Sequence, residues 1–185
     1  MKVTGGKLAG RSLKAPAGSA TRPVTDKVRA AIFSSLGERT QGARALDLYA
    51  GSGALGIEAL SRGARNVDFV DRSKAALASI KQNLQSLDLA GNSRVHGGLV
   101  ESFIGKQPEA YDLIFFDPPY ADFDTKVVTS LDNLLQYSGL LIISCSSKTD
   151  LPDKIGGFEV VSRKIYGDTQ IGYFEKEPKS VTLNH

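Results

Sequence analysis

The sequence predicts an α/β fold in which a mostly parallel sheet carries helices on both faces and closes with an antiparallel hairpin. Three observations carry this. From Ala43 onward, short apolar runs alternate with segments of helical periodicity, the pattern that builds parallel sheets through crossover connections. A glycine-rich stretch, GSGALG at Gly51–Gly56, falls between one apolar run and the helix after it. Near the end, FEVVSRKIY and QIGYFEKE flank GDT, which reads as an antiparallel hairpin.

The elements follow in order. KVTGGK and RSLKAP are expected to pair as a short hairpin through LAG, and APAGSATRP is loop by its Gly, Pro and Ser content. Thr25 is placed to cap a helix whose buried face holds Val28, Ile32 and Leu36, with Gly42 in the loop beyond. ARALDLY is the first strand, Ala54 to Arg62 the next helix, and NVDFVD the second strand. Leu77, Ile80, Leu84 and Leu87 mark the buried face of a further helix. RVHGG is a weaker third strand and YDLIFFD a strong fourth. Val128, Leu131, Leu134 and Leu135 describe a helix, and GLLIIS the fifth strand. Residues 1–42 read as a basic N-terminal extension, 43–177 as the main domain and 178–185 as a frayed tail.

The 185 residues suffice for one domain with a core and a small appendage. No stretch reaches the roughly 20 apolar residues of a membrane span, and the N-terminal MKVTGGKLAG has no apolar signal region. One cysteine, Cys145, excludes an internal disulfide and fits a reducing, cytoplasmic setting. Charge is uneven. Residues 1–44 hold nine Lys/Arg against two acids, a net +7, which leaves 14 basic and 18 acidic residues, a net −4, in the rest. A basic front on an acidic body suits a polyanionic partner, although from charge alone a solvated face is the commoner explanation.

Two motifs carry chemistry. GSGALG matches G-x-G-x-x-G in its proper place, and Asp71 closes the second strand where an acid can accept from both hydroxyls of a ribose. That points to a nucleoside cofactor. Asp47, before the loop, suits a cationic group better than a pyrophosphate, and the closing antiparallel hairpin departs from a dinucleotide domain. S-adenosylmethionine, with a ribose, an ammonium and no phosphate, fits Asp47 and Asp71 together. The second motif is DPPY, Asp117–Tyr120, at the end of the fourth strand. Proline fixes its own φ and holds the residue before it extended, so Pro118 and Pro119 stiffen the backbone. Asp117 and the Pro118 carbonyl then offer two acceptors to the amine of a nucleobase, and Tyr120 a face for the base to stack on. Without the glycine loop and Asp71, a rigid structural loop would be a serious rival reading. His96 and His185 lack ligand-like spacing, so no metal is expected.

DLYAGSGALGIEALSRGA together with FFDPPY resembles the bacterial small-subunit rRNA guanine-N2 methyltransferases of the RsmD type. GGKLAGRSL, TRPVTDKVRAAIFSSL and the late YGDT are similar to that family's other blocks, in order, from about Val3 to Glu175. The resemblance implies a Rossmann-like class I methyltransferase with a seven-stranded sheet and an antiparallel last strand. It implies S-adenosylmethionine as donor and N2 of guanine 966 of 16S rRNA as acceptor, in a small subunit or an assembly intermediate, with a monomeric enzyme expected. Carried onto this chain, Asp47, Ala50, Gly51, Ser52, Gly53, Gly56, Asp71, Arg72 and Leu99 would hold the cofactor, with Val100 a second candidate for the adenine contact. Asp117, Pro118, Pro119 and Tyr120 would form the amine site, and Arg11, Lys14, Arg22, Lys27 and Arg29 would meet RNA phosphates. Relatives often carry a glutamate at the end of the strand after DPPY, where this chain has Ser144. The alternative is a DNA or other RNA amino-methyltransferase using the same DPPY. A nicotinamide oxidoreductase lacks any hydride-transfer constellation, and a non-catalytic RNA-binding protein would have no need of DPPY.

Overall fold

The computed structural model describes residues 1–18, 24–105 and 110–176. Its centre is one eight-stranded sheet. Strands β1 (Arg44–Leu48), β2 (Asn66–Asp71), β3 (Ser93–Gly97), β4 (Tyr111–Phe116) and β5 (Leu135–Ser146) pair in parallel, and the full order is β3-β2-β1-β4-β5-β8-β7-β6. β8 (Thr169–Lys176) runs antiparallel to both β5 and β7 (Phe158–Tyr166).

The expected alternation and closing hairpin are present, and the strand count is one higher than expected. The extra strand is β6, Lys154–Ile155, a two-residue edge piece antiparallel to β7, too short to leave an apolar run in the sequence.

The apolar runs behave as strands buried on both faces. Along β4, Leu113 and Phe115 join one core layer, while Ile114 and Phe116 join the other. The first layer packs under α1 (Asp26–Leu36), α2 (Ala54–Ser61) and α3 (Lys74–Ser86). The second packs under α4 (Val100–Ile104) and α5 (Thr125–Ser130) through Val100, Phe103 and Val128. α4 was not legible as a helix. The helix expected through Leu135 stops at Ser130. Leu131 lies in a 3-10 turn, and Leu135 already belongs to β5, paired with Tyr111 before an irregularity in the ladder. The spacing of those leucines is helical, but the chain uses it to fill the core from a turn and a strand.

The N-terminal segment is part of this core. Its hairpin reduces to one antiparallel bridge, Lys2 with Ser12, closed by a 3-10 turn at Gly6–Leu8. Val3 and Leu13 are nevertheless buried with Ile57 and Phe69. Thr25 caps α1 as expected by accepting from Val28 N, and Val28, Ile32, Phe33 and Leu36 are buried. The first core layer therefore runs across the expected boundary at residue 42. Among the described residues, no helix is long and apolar enough to cross a membrane.

Candidate active site

Strand order reverses between β1 and β4: from β1 the chain builds outward through β2 and β3, and from β4 it builds the other way. Ligands of open α/β sheets bind at this point, beyond the carboxyl ends of the strands. Leu48 is the register partner of Phe116, so the loops leaving β1 and β4 start side by side. These are the glycine loop and DPPY.

The glycine loop turns through left-handed conformations at Tyr49, Gly51 and Gly53, with φ of 58°, 57° and 77°. At Gly56 the requirement is space. A Cβ there would lie 2.3 Å from Phe69 Cε1, so only glycine lets α2 lie this close to β2. Hydrogen bonds from several sides hold the loop, among them Ala50 N to Val70 O at 3.1 Å. Asp47 Oδ2 accepts from Gly56 N at 2.9 Å, and Asp71 Oδ2 accepts from Gly51 N at 2.9 Å. Ala50 O accepts from Gly53 N at 2.7 Å. Asn83 Nδ2 donates to Ser52 O at 3.0 Å.

Two of the expected cofactor contacts are therefore turned elsewhere. Asp47 is 1% exposed, and its Oδ2 satisfies a free amide of the first turn of α2 instead of facing outward toward a cation. Burial pushes its carboxyl well above the ordinary range, Asp117 and Asp71 nearby push the same way, and the Gly56 amide opposes. Ser52 is also buried, and its hydroxyl is taken by Met1 Sδ at 3.3 Å.

Asp71 remains open to a ligand. Its oxygens accept from Gly51 N and from Ser73 N at 2.8 Å, and a carboxylate with about four lone-pair positions retains acceptor directions for two hydroxyls. Past Asp71 lies a cleft of about 450 Å³ lined by Tyr49, Arg72, Leu99 and Asp122, among others. That volume is within the usual range for small-ligand sites of about 300–1,000 Å³. Leu99 is 52% exposed there, an apolar side chain available to a flat ring. Arg72 reaches across to Asp122 at 3.5 Å. Burial with the negative charges of Glu101 and Asp122 pushes the Tyr49 phenol up to about 12, Arg72 opposing. Ala50 is buried within the loop.

At the end of β4, Asp117 is half-buried. Burial pushes its carboxyl up to about 6, and the nearby Ser144 hydroxyl works in the opposite direction. Ser144 Oγ, buried on β5, has no hydrogen-bond partner of good geometry, so its proximity to Asp117 falls short of a formed bond. Pro118 is buried, and Pro119 is extended at φ −50°, ψ 138°. Asp122 N then donates to Pro119 O at 2.7 Å, closing a 3-10 turn over Tyr120–Asp122. Tyr120 is 47% exposed, and its hydroxyl lies 2.8 Å from Thr169 Oγ1 at the start of β8. Neither Tyr49 nor Thr169 was singled out by sequence, although both stand inside the quoted blocks DLYAG and YGDT.

The expected RNA-facing residues divide. Arg11, Lys14 and Lys27 are exposed, and Arg22 lies outside the described residues. Arg29 is not a phosphate contact. It is 0% exposed, with Nε on Glu58 Oε2 at 3.2 Å, Nη2 on Asp26 Oδ1 at 2.8 Å and a further bond to Lys2 O. A guanidinium in the interior needs charge partners, and Glu58, also taken by Arg62 at 2.8 Å and Thr4 at 2.7 Å, supplies them. His96 pairs with Asp68, Nε2 to Oδ1 at 2.7 Å.

This topology, with a glycine loop and an acid at adjacent strand ends, is the class I methyltransferase fold. A solved Escherichia coli structure named as a candidate methyltransferase, yhhF, superposes with a TM-score of 0.85 at 30% identity, covering 96% of this chain and 98% of that one. The chain belongs to the family described as Conserved hypothetical protein 95, whose profile matches residues 1–175. It is similar to YlbH of Bacillus subtilis (strain 168), named as a candidate rRNA methyltransferase, at 38% identity over 95% of this chain and 99% of that one. It is also similar to Ribosomal RNA small subunit methyltransferase D of Escherichia coli (strain K12), at 31% identity over 96% and 90%.

Proposed function

We propose that this chain methylates 16S rRNA in the cytoplasm, transferring a methyl group from S-adenosylmethionine to the exocyclic N2 of a guanine, guanine 966 by the family resemblance. The observation that carries the reading is Asp117, held half-buried at the end of β4 beside the glycine loop of β1. The relative named Ribosomal RNA small subunit methyltransferase D, matched along almost its whole length, supports the choice of RNA.

The residues fit the cofactor. Asp71 has acceptor capacity left for a ribose, Leu99 offers apolar surface to an adenine ring, and the cleft is lined on its other side by Ala121 and Asp122, which follow DPPY in the chain. When bound there, S-adenosylmethionine supplies an electrophilic methyl group.

The protein's part is orientation and proton handling. An aromatic amine attacks poorly because its lone pair is delocalised into the ring. Asp117 accepts a hydrogen bond from one N2–H and so fixes the direction of that lone pair. As positive charge develops on nitrogen, the carboxylate stabilises it. With its pKa near 6, Asp117 is mostly ionised at neutral pH and is able to receive the N2 proton after transfer. Tyr120 stacks on the base once it leaves its helix. Arg11, Lys14 and Lys27 meet backbone phosphates.

The test is incubation with methyl-labelled S-adenosylmethionine and small subunits lacking the modification, followed by nuclease mapping and mass spectrometry. Label at N2 of a single guanine is expected. Cofactor binding without any label in 16S rRNA would defeat the substrate assignment and leave the methyltransferase fold standing.

A further inference from the structure

We propose that Thr169 is a positioning residue that fixes the direction in which the Tyr120 ring points, so that the β7–β8 hairpin turn helps define where the base is received. The inference rests on the reading of Tyr120 as the stacking surface and extends it to the turn.

The contact joins two segments 49 positions apart, with 2.8 Å between Tyr120 Oη and Thr169 Oγ1 and either hydroxyl able to donate. Tyr120 is 47% exposed, and an exposed ring on a loop ordinarily samples several rotamers. Here its two ends are tied separately. The backbone end follows the double proline, with Pro119 O accepting from Asp122 N at 2.7 Å.

The hydroxyl end meets a threonine that three strands hold in place. Thr169 is the register partner of Ser146 on β5 and of Tyr166 on β7. Next to it, Asp168 O accepts from Ser147 N at 2.9 Å, pinning the turn to the end of β5. Thr169 is also β-branched and stiff about χ1. A stiff hydroxyl on a fixed turn restricts the ring to one χ1 rotamer before a base arrives, which strengthens capture without adding a contact to the base. Because the tie ends on Tyr120 and not on Asp117, its loss should fall on base capture more than on the chemical step.

The experiment compares Thr169→Val, Thr169→Ser, Tyr120→Phe, the Thr169→Val/Tyr120→Phe double variant and Tyr120→Ala in methyl transfer to unmodified small subunits. Cofactor affinity is measured by isothermal titration, and thermal melts check folding. Thr169→Val and Tyr120→Phe should each raise KM for the subunit about 3–10-fold, the range for one lost hydrogen bond, with kcat and cofactor affinity nearly constant. The double variant should be no worse than either single, because both remove one contact, and Thr169→Ser, which keeps the hydroxyl without the β-branch, should have a KM between those of Thr169→Val and the wild type. Unchanged KM in both singles, or losses that add, overturns the role of Thr169 while a large loss in Tyr120→Ala keeps the stacking surface. If Tyr120→Ala also transfers normally, the stacking reading fails and this inference fails with it.

Discussion

Replacing Asp117 with asparagine should leave the protein more stable and nearly inactive. Burial lifts this carboxyl from 3.8 to about 6. A folded-state pKa above the unfolded one means that the folded chain binds the proton more tightly, so the ionised form costs stability. The penalty is absent below about pH 4, develops as pH rises toward 6 and is complete above it. A shift of roughly two units corresponds to at most ~3 kcal/mol, and partial access of water reduces this to ~1–2 kcal/mol. Asparagine keeps the shape without the charge. Asp117→Asn should therefore melt about 2–8 °C higher than the wild type at pH 8, with the difference fading toward pH 4. The same titration governs turnover. Wild-type activity should be half-maximal near pH 6 and fall about tenfold per unit below it, whereas Asp117→Asn should lose about 10²–10⁴-fold and show no such limb. Melting curves and pH–rate profiles of the two proteins between pH 4 and 8.5 provide the assay. A variant less stable at pH 8, or a wild type with constant activity down to pH 5, would refute the reasoning.

Other variants probe separate parts of the site. Asp71→Ala removes the observed acceptor of Gly51 N and the acceptor proposed for the ribose, so calorimetric titration should show cofactor affinity falling more than kcat does. Gly56→Ala drives a methyl group into Phe69, 2.3 Å away, and urea unfolding should report a loss of about 1–3 kcal/mol, the cost of overpacking. Arg29→Ala removes one of the two guanidinium partners of buried Glu58, leaves Arg62 and Thr4 on it, and should cost about 1.5–3 kcal/mol, the range for hydrogen bonds to a charged group. In variants that stay folded under the binding conditions, the salt dependence of RNA binding should be unaltered by Arg29→Ala, while Arg11→Ala should reduce its slope by about one unit.

Much of the fold and part of the site could be read from the sequence, for identifiable reasons. YDLIFF is a strand in the structure because burial on both faces demands an unbroken apolar run, and G-x-G-x-x-G is local chemistry in local sequence. The misreadings share a cause of another kind. Arg29 looked like one cation in a basic segment, because its partner Glu58 is 29 positions away and a charge count cannot separate a solvated guanidinium from a buried one. Asp47 was rightly placed beside the loop, but its commitment to Gly56 depends on how closely α2 settles on β1. Thr169 belonged to a quoted block without a reason for being there until the fold brought it to Tyr120. At Leu134 and Leu135, periodicity described which side chains enter the core and not the backbone that delivers them.

The tie between the N-terminal segment and the main sheet bears on synthesis. Thr4 N waits for Glu58, 54 positions later, and Lys14 N for Asn83, 69 positions later. At about 5–20 residues per second, the earliest-made stretch emerges several seconds before its partners exist. Val3, Leu13 and Arg29 are then apolar and cationic groups without a home, and chaperones would encounter them first. A ribosome pausing between Arg29 and Glu58 would prolong that exposure, whereas a pause within the β7–β8 hairpin would find the segment already docked.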